Sequence, residues 1–179
     1  MMFWCNLVGY QLVWFLLVSG AAHASLWPAM AGGVAFVSWQ VLAAPHPAVE
    51  LRLLIIALLL GVAIDGVLAY TGWLRYASPS PSVPLDGAPV WILMLWACFA
   101  TTINRSLAML RSRPWLAALL GAIGAPMAYV AASRGWGAVQ FQAEIWRALA
   151  WIAAGWAIAL PVLAILAERW RHPHLMRRS

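Results

Sequence analysis

Asp65 is the residue whose type and position point most directly to chemistry. It lies in the segment Gly61–Gly66, inside a mostly apolar stretch that covers residues 51–74. An ionised carboxylate in the middle of a membrane-spanning helix costs about 2.5–3.5 kcal/mol on insertion scales, so we expect it to face other helices and to have a polar partner. Two roles are open: a carboxylate that handles a proton or orients a ligand, and a structural hydrogen bond between helices.

A second group of polar residues, Thr101, Asn104 and Arg105, lies near the end of a later apolar stretch. Polar side chains inside a membrane usually hydrogen-bond across helices, so this group supplies the expected partners of Asp65. One alternative is a direct ion pair between Asp65 and Arg105, and the other is an Arg105 side chain that extends to lipid phosphate. Asn6, in the first apolar stretch, is a further candidate for the same polar centre.

The common spacings of metal, phosphate and nucleophile sites are missing from the sequence. The histidines are scattered over turns and the tail, and Cys5 and Cys98 lie alone in apolar stretches. There is no glycine-rich phosphate loop and no nucleophile motif. We therefore expect no metal and no cofactor, and Asp65 is the only candidate catalytic residue, as a general acid or base.

The composition predicts that most of the surface faces lipid. Of 179 residues, 65% are hydrophobic and 9% are charged, and the mean hydropathy is +0.83, whereas a soluble domain carries roughly 25% charged residues. The net charge of +6 rests on arginines alone, which stand singly between apolar stretches or cluster in the tail. This distribution is typical of membrane topology and not of a nucleic-acid-binding surface, so we exclude nucleic acid as a partner.

Six apolar stretches approach the length of roughly 20 residues that a helix needs to span a membrane. We therefore predict an all-α polytopic bundle of about six transmembrane helices, forming a single integral membrane domain over residues 1–179. The predicted helices cover residues 2–22, 26–44, 51–74, 90–110, 114–132 and 144–167. The Pro- and Ser-rich segment 78–89 should be an extended, solvated loop.

The predicted fifth helix carries small residues at spacings of four, namely Ala117, Gly121 and Ala125. Such a stripe allows the backbone of a neighbouring helix to approach closely. We therefore expect it to be a helix-packing surface.

The arginines predict that both termini are cytoplasmic, because cytoplasmic segments carry more positive charge. With the N-terminus inside, the opposite side would hold Arg75, Arg134 and Arg147. The cytoplasmic segments would hold Arg52, Arg111, Arg113, Arg169, Arg171, Arg177 and Arg178. An alternative for the first helix is a signal peptide cleaved after Ala24, although no basic residue precedes its apolar core.

Four stretches resemble, together, a bacterial family of small integral membrane proteins catalogued only as a domain of unknown function. They are Asn6–Gln11, Leu74–Tyr76, Trp91–Leu110 with its Thr101–Leu107 segment, and Gly121–Tyr129. The resemblance implies a protein of the Gram-negative inner membrane and no defined activity. It also implies relatives encoded near genes for modifying membrane fatty acids, which favours a role connected with lipid.

The leading hypothesis is a non-catalytic membrane protein that binds a lipid or apolar molecule, or supports membrane-lipid modification, with Asp65, Asn104 and Arg105 as its polar centre. Its expected partners are membrane lipid and either another membrane protein or a second copy of the chain. The alternatives are an intramembrane enzyme acting on an acyl or isoprenoid substrate, and a small transporter. The enzyme hypothesis requires Asp65 to lie beside Thr101, Asn104 or Arg105, because catalysis needs convergent groups.

Overall fold

The computed structural model describes residues 2–142 and 144–171, and this part of the chain forms a bundle of six α-helices. Their bounds are α1 Met2–Ala22, α2 Leu26–Leu42, α3 Pro47–Tyr70, α4 Val90–Ala100, α5 Pro114–Trp136 and α6 Ile145–Arg171. Four of these helices, α1, α3, α5 and α6, are long and apolar enough to cross a membrane, whereas α2 and α4 are shorter. The predicted all-α bundle is therefore confirmed.

Short strands close one end of the bundle. β1 (Leu74–Tyr76) pairs antiparallel with β4 (Val139–Phe141), so the connection after α3 meets the connection after α5. β2 (Ser82–Val83) pairs with β3 (Ala88–Pro89) inside the segment expected to be an extended, solvated loop. That expectation was wrong in part, because the segment is held against the bundle by a hydrogen bond of 3.0 Å from the Trp91 indole to the Ser78 carbonyl.

Three of the long helices differ from their predicted bounds. α6 ends at Arg171 and not at residue 167, and the differences in α3 and α5 have identifiable reasons. α3 begins at Pro47 and not at residue 51, since proline is well suited to the first helical turn, where no N–H is needed. α5 continues to Trp136 and not to residue 132, and Gly137 ends it in the left-handed conformation with φ of 68°. The earlier start places Asp65 about 27 Å from the first residue of α3, at 1.5 Å per residue.

α4 stops at Ala100, whereas the sequence predicted a helix through residue 110. Residues 101–107 form turns, and a short 3₁₀ helix follows at Ala108–Leu110. The hydroxyl groups of Thr101 and Thr102 donate to the carbonyls of Cys98 and Phe99, at 2.7 and 2.6 Å. Such bonds compete with helix continuation. We call residues 101–107 the unwound segment.

The small-residue stripe of α5 packs against α6, as predicted. Ala117, Gly121 and Ala125 are all buried, and a Cβ built on Gly121 would lie 2.2 Å from the carbonyl oxygen of Trp156. The two helix backbones therefore touch at this point, which requires glycine there.

The bundle has two chemically different ends. The strand end holds β1 and β4, the turn after α1 and the start of α4. The opposite end, which we call the arginine end, holds the start of α3, the unwound segment, Arg111 and the last turn of α6. Met2 and Arg171 line one cavity there, so both ends of the described chain meet at the arginine end.

Candidate functional site

Asp65 lies in a closed cluster of aromatic hydrogen-bond donors. Tyr76 donates to Asp65 Oδ1 at 2.9 Å and Trp96 donates to Oδ2 at 2.8 Å. Tyr129 also donates to Oδ1, and Asp65 itself is fully buried. These four residues, the Asp65 cluster, join α3, α4, α5 and β1 at one point.

Two donors of the Asp65 cluster are placed by separate features of the chain. Gly61, one turn before Asp65, leaves room for the Trp96 ring, since a Cβ there would lie 2.6 Å from that ring. The Trp96 ring stacks on Trp156 of α6 at 4.1 Å between centroids. Tyr76 is fixed by the pairing of β1 with β4. Burial and then the Asp65 carboxylate raise the pKa of Tyr76 far above its usual value, so this hydroxyl keeps its proton and stays a donor.

Of the two alternatives for Arg105, the direct ion pair with Asp65 is wrong. Arg105 donates to the backbone carbonyl of Gln40 at 2.8 Å, and the contacts of Asp65 are with aromatic residues. Because Asp65 lies 15 residues after Glu50, which contacts Asn104, about 22 Å of helix separates Asp65 from the arginine end. Arg105 lies in the unwound segment after α4, which ends at Ala100 and was predicted to continue through Arg105 as a helix.

Asn6 satisfies the backbone of the unwound segment. Its side-chain oxygen accepts from the Ser106 hydroxyl at 2.7 Å, and its amide nitrogen donates to the Thr101 carbonyl at 3.4 Å. Asn6 is fully buried, and Thr101 and Ser106 are nearly so. Irregular backbone inside a membrane protein needs such internal partners. Asn6 and Thr101 thus contact each other, as expected for members of one polar centre, but they lie away from Asp65. Their hydrogen bonds stabilise the irregular backbone.

Asn104 contacts an acidic residue that sequence reasoning did not select. Its amide donates to Glu50 Oε1 at 3.1 Å, while its own oxygen accepts from Arg111 at 2.9 Å. Arg111 also forms an ion pair of 3.3 Å with Glu168. Asn104 therefore fixes Glu50 at the start of α3 and links it to the end of α6.

A cavity of about 340 Å³ opens beside this network, and we call it the arginine-end cavity. Its polar lining comes from Glu50, Asn104, Arg105 and Arg171, with His46 at the start of α3. Its apolar lining includes Met2, Phe3 and Val49. The cavity therefore combines charges of both signs with the apolar start of α1, which suits an amphiphilic ligand.

A second cavity, of about 280 Å³, lies at the strand end. Ser133, Arg134, Gln140 and Phe141 contribute to its lining. It holds one charged side chain and no acid, so its chemistry is simpler than that of the arginine-end cavity. Asp65 lines neither cavity.

Sequence reasoning thus selected two separate groups as one site. The structure brings Asn104 and Arg105 together at a cavity, places Asn6 with Thr101 in the adjoining unwound segment, and isolates Asp65. Four important residues were missed, namely Glu50, Trp96, Tyr76 and Tyr129. Glu50 precedes the predicted start of α3 by one residue, so it was not considered. An acidic residue beside the start of an apolar helix could have drawn attention to it, because a negative charge is favourable in the first helical turn. Trp96, Tyr76 and Tyr129 could have been found in another way. Buried indole and phenol groups require hydrogen-bond acceptors, and Asp65 is such an acceptor.

Within residues 2–142 and 144–171, no three His, Cys, Asp or Glu side chains are grouped so that they could hold a metal ion. His172, His174, Arg177 and Arg178 lie outside the described residues, as does the end of the predicted basic tail.

Comparison with known proteins identifies a family and no activity. No curated protein and no solved structure matches the chain. Residues 3–162, nearly the whole chain, match the family described as "Protein of unknown function (DUF2878)". The resemblance to an uncharacterised domain family is thereby confirmed, and the chain belongs to the DUF2878 family.

Proposed function

We propose that this protein binds a membrane lipid through the arginine-end cavity, with the lipid phosphate at Arg105. The observation that carries the proposal is the state of the Arg105 side chain. It is half-buried and lines the cavity, and its one hydrogen bond within the described part of the chain goes to a neutral carbonyl, that of Gln40. Among the described residues, Arg105 has no carboxylate within ion-pair distance.

A half-buried guanidinium that forms no direct ion pair favours an anionic ligand. Guanidinium groups match phosphate well, because their planar arrangement of N–H groups donates to two oxygens at once. Arg105 uses one donor on Gln40, which leaves four of its five for a ligand. Arg171 adds a second positive charge to the same cavity.

The apolar part of the cavity supports a lipid as the source of the phosphate. Met2 and Phe3 line the cavity, and about half of each side chain is exposed on the outer face of α1. An acyl chain could follow this surface from the cavity into the membrane. A volume of about 340 Å³ accommodates a headgroup and not the acyl chains, which would remain in the bilayer.

The same features support a bacterial inner-membrane location with the arginine end in the cytoplasm. Arg52, Arg111, Arg113 and Arg171 lie at or near this end, against Arg75, Arg134 and Arg147 at the strand end. Met2 and Arg171 meet there, which fits both termini on one side of the membrane.

The two alternatives have less support. The enzyme hypothesis needed Asp65 beside Thr101, Asn104 or Arg105, and Asp65 lies in a separate closed cluster. A transporter would need a polar path between the two ends, but between Asp65 and the unwound segment α4 presents the buried apolar residues Ala97, Cys98 and Ala100. Support of a lipid-modifying partner, and pairing with a second copy, remain predictions.

The proposal is tested by native mass spectrometry of the protein extracted gently from its membrane. Wild type should retain phospholipid, and Arg105→Gln should bind it about tenfold more weakly, which corresponds to about 1.4 kcal/mol. Arg113→Gln is the matched control, because Arg113 is an exposed arginine at the same end that does not line the cavity. Equal retention by both variants would show that Arg105 does not bind the lipid.

A further inference from the structure

The arginine-end cavity contains an acidic residue that a purely anionic ligand would not explain. Glu50 lines the cavity and is only 6% exposed. A carboxylate beside a bound phosphate repels it. Arg105, Arg111 and Arg171 act on Glu50 from a distance, and a ligand that also carries a positive charge would contact it directly.

Among the described residues, the opposite charges that line the cavity are near each other but form no direct ion pair. Asn104 donates to Glu50 Oε1, while the adjacent Arg105 turns to the Gln40 carbonyl. Within the described part of the chain, Glu50 forms no ion pair with an arginine, although Arg105 and Arg171 line the same cavity. Glu50 interacts electrostatically with Arg105 and Arg171 without contacting either of them. Opposite charges that share a cavity without a direct ion pair suit a ligand that itself carries both charges.

We propose, building on the lipid-binding function above, that the cavity recognises a zwitterionic headgroup: a phosphate ester that carries a primary ammonium. The phosphate contacts Arg105 and Arg171, and the ammonium donates hydrogen bonds to Glu50. The class is that of phosphoethanolamine, and the apolar lining by Met2, Phe3 and Val49 makes a phosphatidylethanolamine lipid its source.

Three headgroups separate the contributions of the two charges. Phosphatidylglycerol has the phosphate but no ammonium, so Glu50 would repel it or remain unpaired. Phosphatidylcholine has a positive nitrogen without N–H groups, so it cannot donate to the carboxylate. Of the three, only phosphatidylethanolamine offers a phosphate to Arg105 and an ammonium that donates to Glu50, in addition to the hydrogen bond from Asn104.

Glu50 also lies in the first turn of α3, where a negative charge is favourable for the helix. Glu50→Gln removes the charge and keeps an oxygen that can accept from Asn104, so the contact at Oε1 is preserved. Glu144→Gln is a matched control, since Glu144 is an acid at the start of α6, at the strand end.

The experiment is competition, followed by native mass spectrometry, between phosphatidylethanolamine, phosphatidylglycerol and phosphatidylcholine with identical acyl chains. Wild type should prefer phosphatidylethanolamine to each of the others. Glu50→Gln should lower the preference for phosphatidylethanolamine over phosphatidylglycerol about tenfold, or about 1.4 kcal/mol. Glu144→Gln should leave it unchanged. The comparison with phosphatidylcholine needs no variant, so it remains decisive if Glu50→Gln does not fold.

The outcomes distinguish the two proposals. Equal binding of all three lipids by wild type, with loss of all three in Arg105→Gln, would overturn the headgroup assignment and leave lipid binding intact. Equal lipid retention by Arg105→Gln and wild type would overturn lipid binding itself. Displacement of the lipid by an equal concentration of soluble phosphoethanolamine would overturn the lipid source, because the acyl chains would then contribute nothing.

Discussion

The three donors around Asp65 differ in a way that determines how the cluster responds to mutation. A tyrosine hydroxyl donates and accepts, whereas the indole of Trp96 only donates. An asparagine at position 65 can direct its oxygen to Trp96 and its amide group to the two tyrosine oxygens. A leucine offers no acceptor, so all three buried donors lose their partner.

We therefore expect Asp65→Asn to lower stability by less than about 1 kcal/mol and Asp65→Leu by several kcal/mol, since each unsatisfied buried donor costs about 1–3 kcal/mol. Thermal unfolding in detergent measures both changes. Asp86→Asn is the control, because Asp86 is exposed and its positive φ of 62° tolerates asparagine. Lipid retention by Asp65→Asn should equal that of wild type. A selective loss of bound lipid in this variant would mean that Asp65 belongs to the ligand site.

Sequence reasoning at the scale of residues found the need of Asp65 for partners but not the partners themselves. Its burial followed from its position in an apolar helix, and this was correct. Trp96, Tyr76 and Tyr129 are distant in sequence and lie on three different elements, so only tertiary packing brings them together. In contrast, the link from Glu50 to Asn104 joins two polar residues that the sequence places near one end of their helices.

At the scale of elements, α4 shows why apolar length alone gives wrong helix bounds. Its 11 residues span about 16 Å, roughly half of the hydrocarbon core. The chain can unwind at Thr101 because Asn6 and the threonine hydroxyls replace helical hydrogen bonds. Hydropathy shows that the segment is mostly apolar. It does not show that side-chain hydrogen bonds compete with the backbone hydrogen bonds of a helix there. The unwound segment carries Arg105, which donates to the Gln40 carbonyl, and Asn104, and both side chains line the arginine-end cavity.

The contact of α5 with α6 gives a prediction with an internal control. Gly121→Ala would place a methyl group within 2.2 Å of the Trp156 carbonyl oxygen, so the helices must separate, whereas Gly124→Ala meets nothing within 4 Å. Gly121→Ala should therefore destabilise the protein by about 1–3 kcal/mol. Gly124→Ala should be neutral or slightly stabilising, since alanine favours a helix. Thermal unfolding of the two variants in one detergent compares them directly, and equal stability would contradict the close approach of α5 and α6.

At the scale of the whole molecule, the two ends divide the chemistry of the chain. The strand end is closed by β1, β4 and the Asp65 cluster, and its cavity carries a single charge. The arginine end is open. Its cavity is lined by side chains of both charges and by Met2 and Arg171, the two ends of the described chain. This asymmetry predicts which leaflet supplies the lipid, because a headgroup at the arginine end comes from the leaflet on that side.

The excess of arginine at the cavity end predicts that this end faces the cytoplasm. Single cysteines introduced at Ser112, beside the exposed Arg113, and at Ser80, in the loop that carries β2, report the two ends in a chain whose Cys5 and Cys98 are replaced. In spheroplasts of a bacterial expression host, a membrane-impermeant maleimide should label Ser80→Cys at once. It should label Ser112→Cys only after the membrane is permeabilised. The reverse order would place the arginine-end cavity in the outer leaflet, and labelling of both cysteines in sealed spheroplasts would contradict the bundle as a membrane-spanning unit.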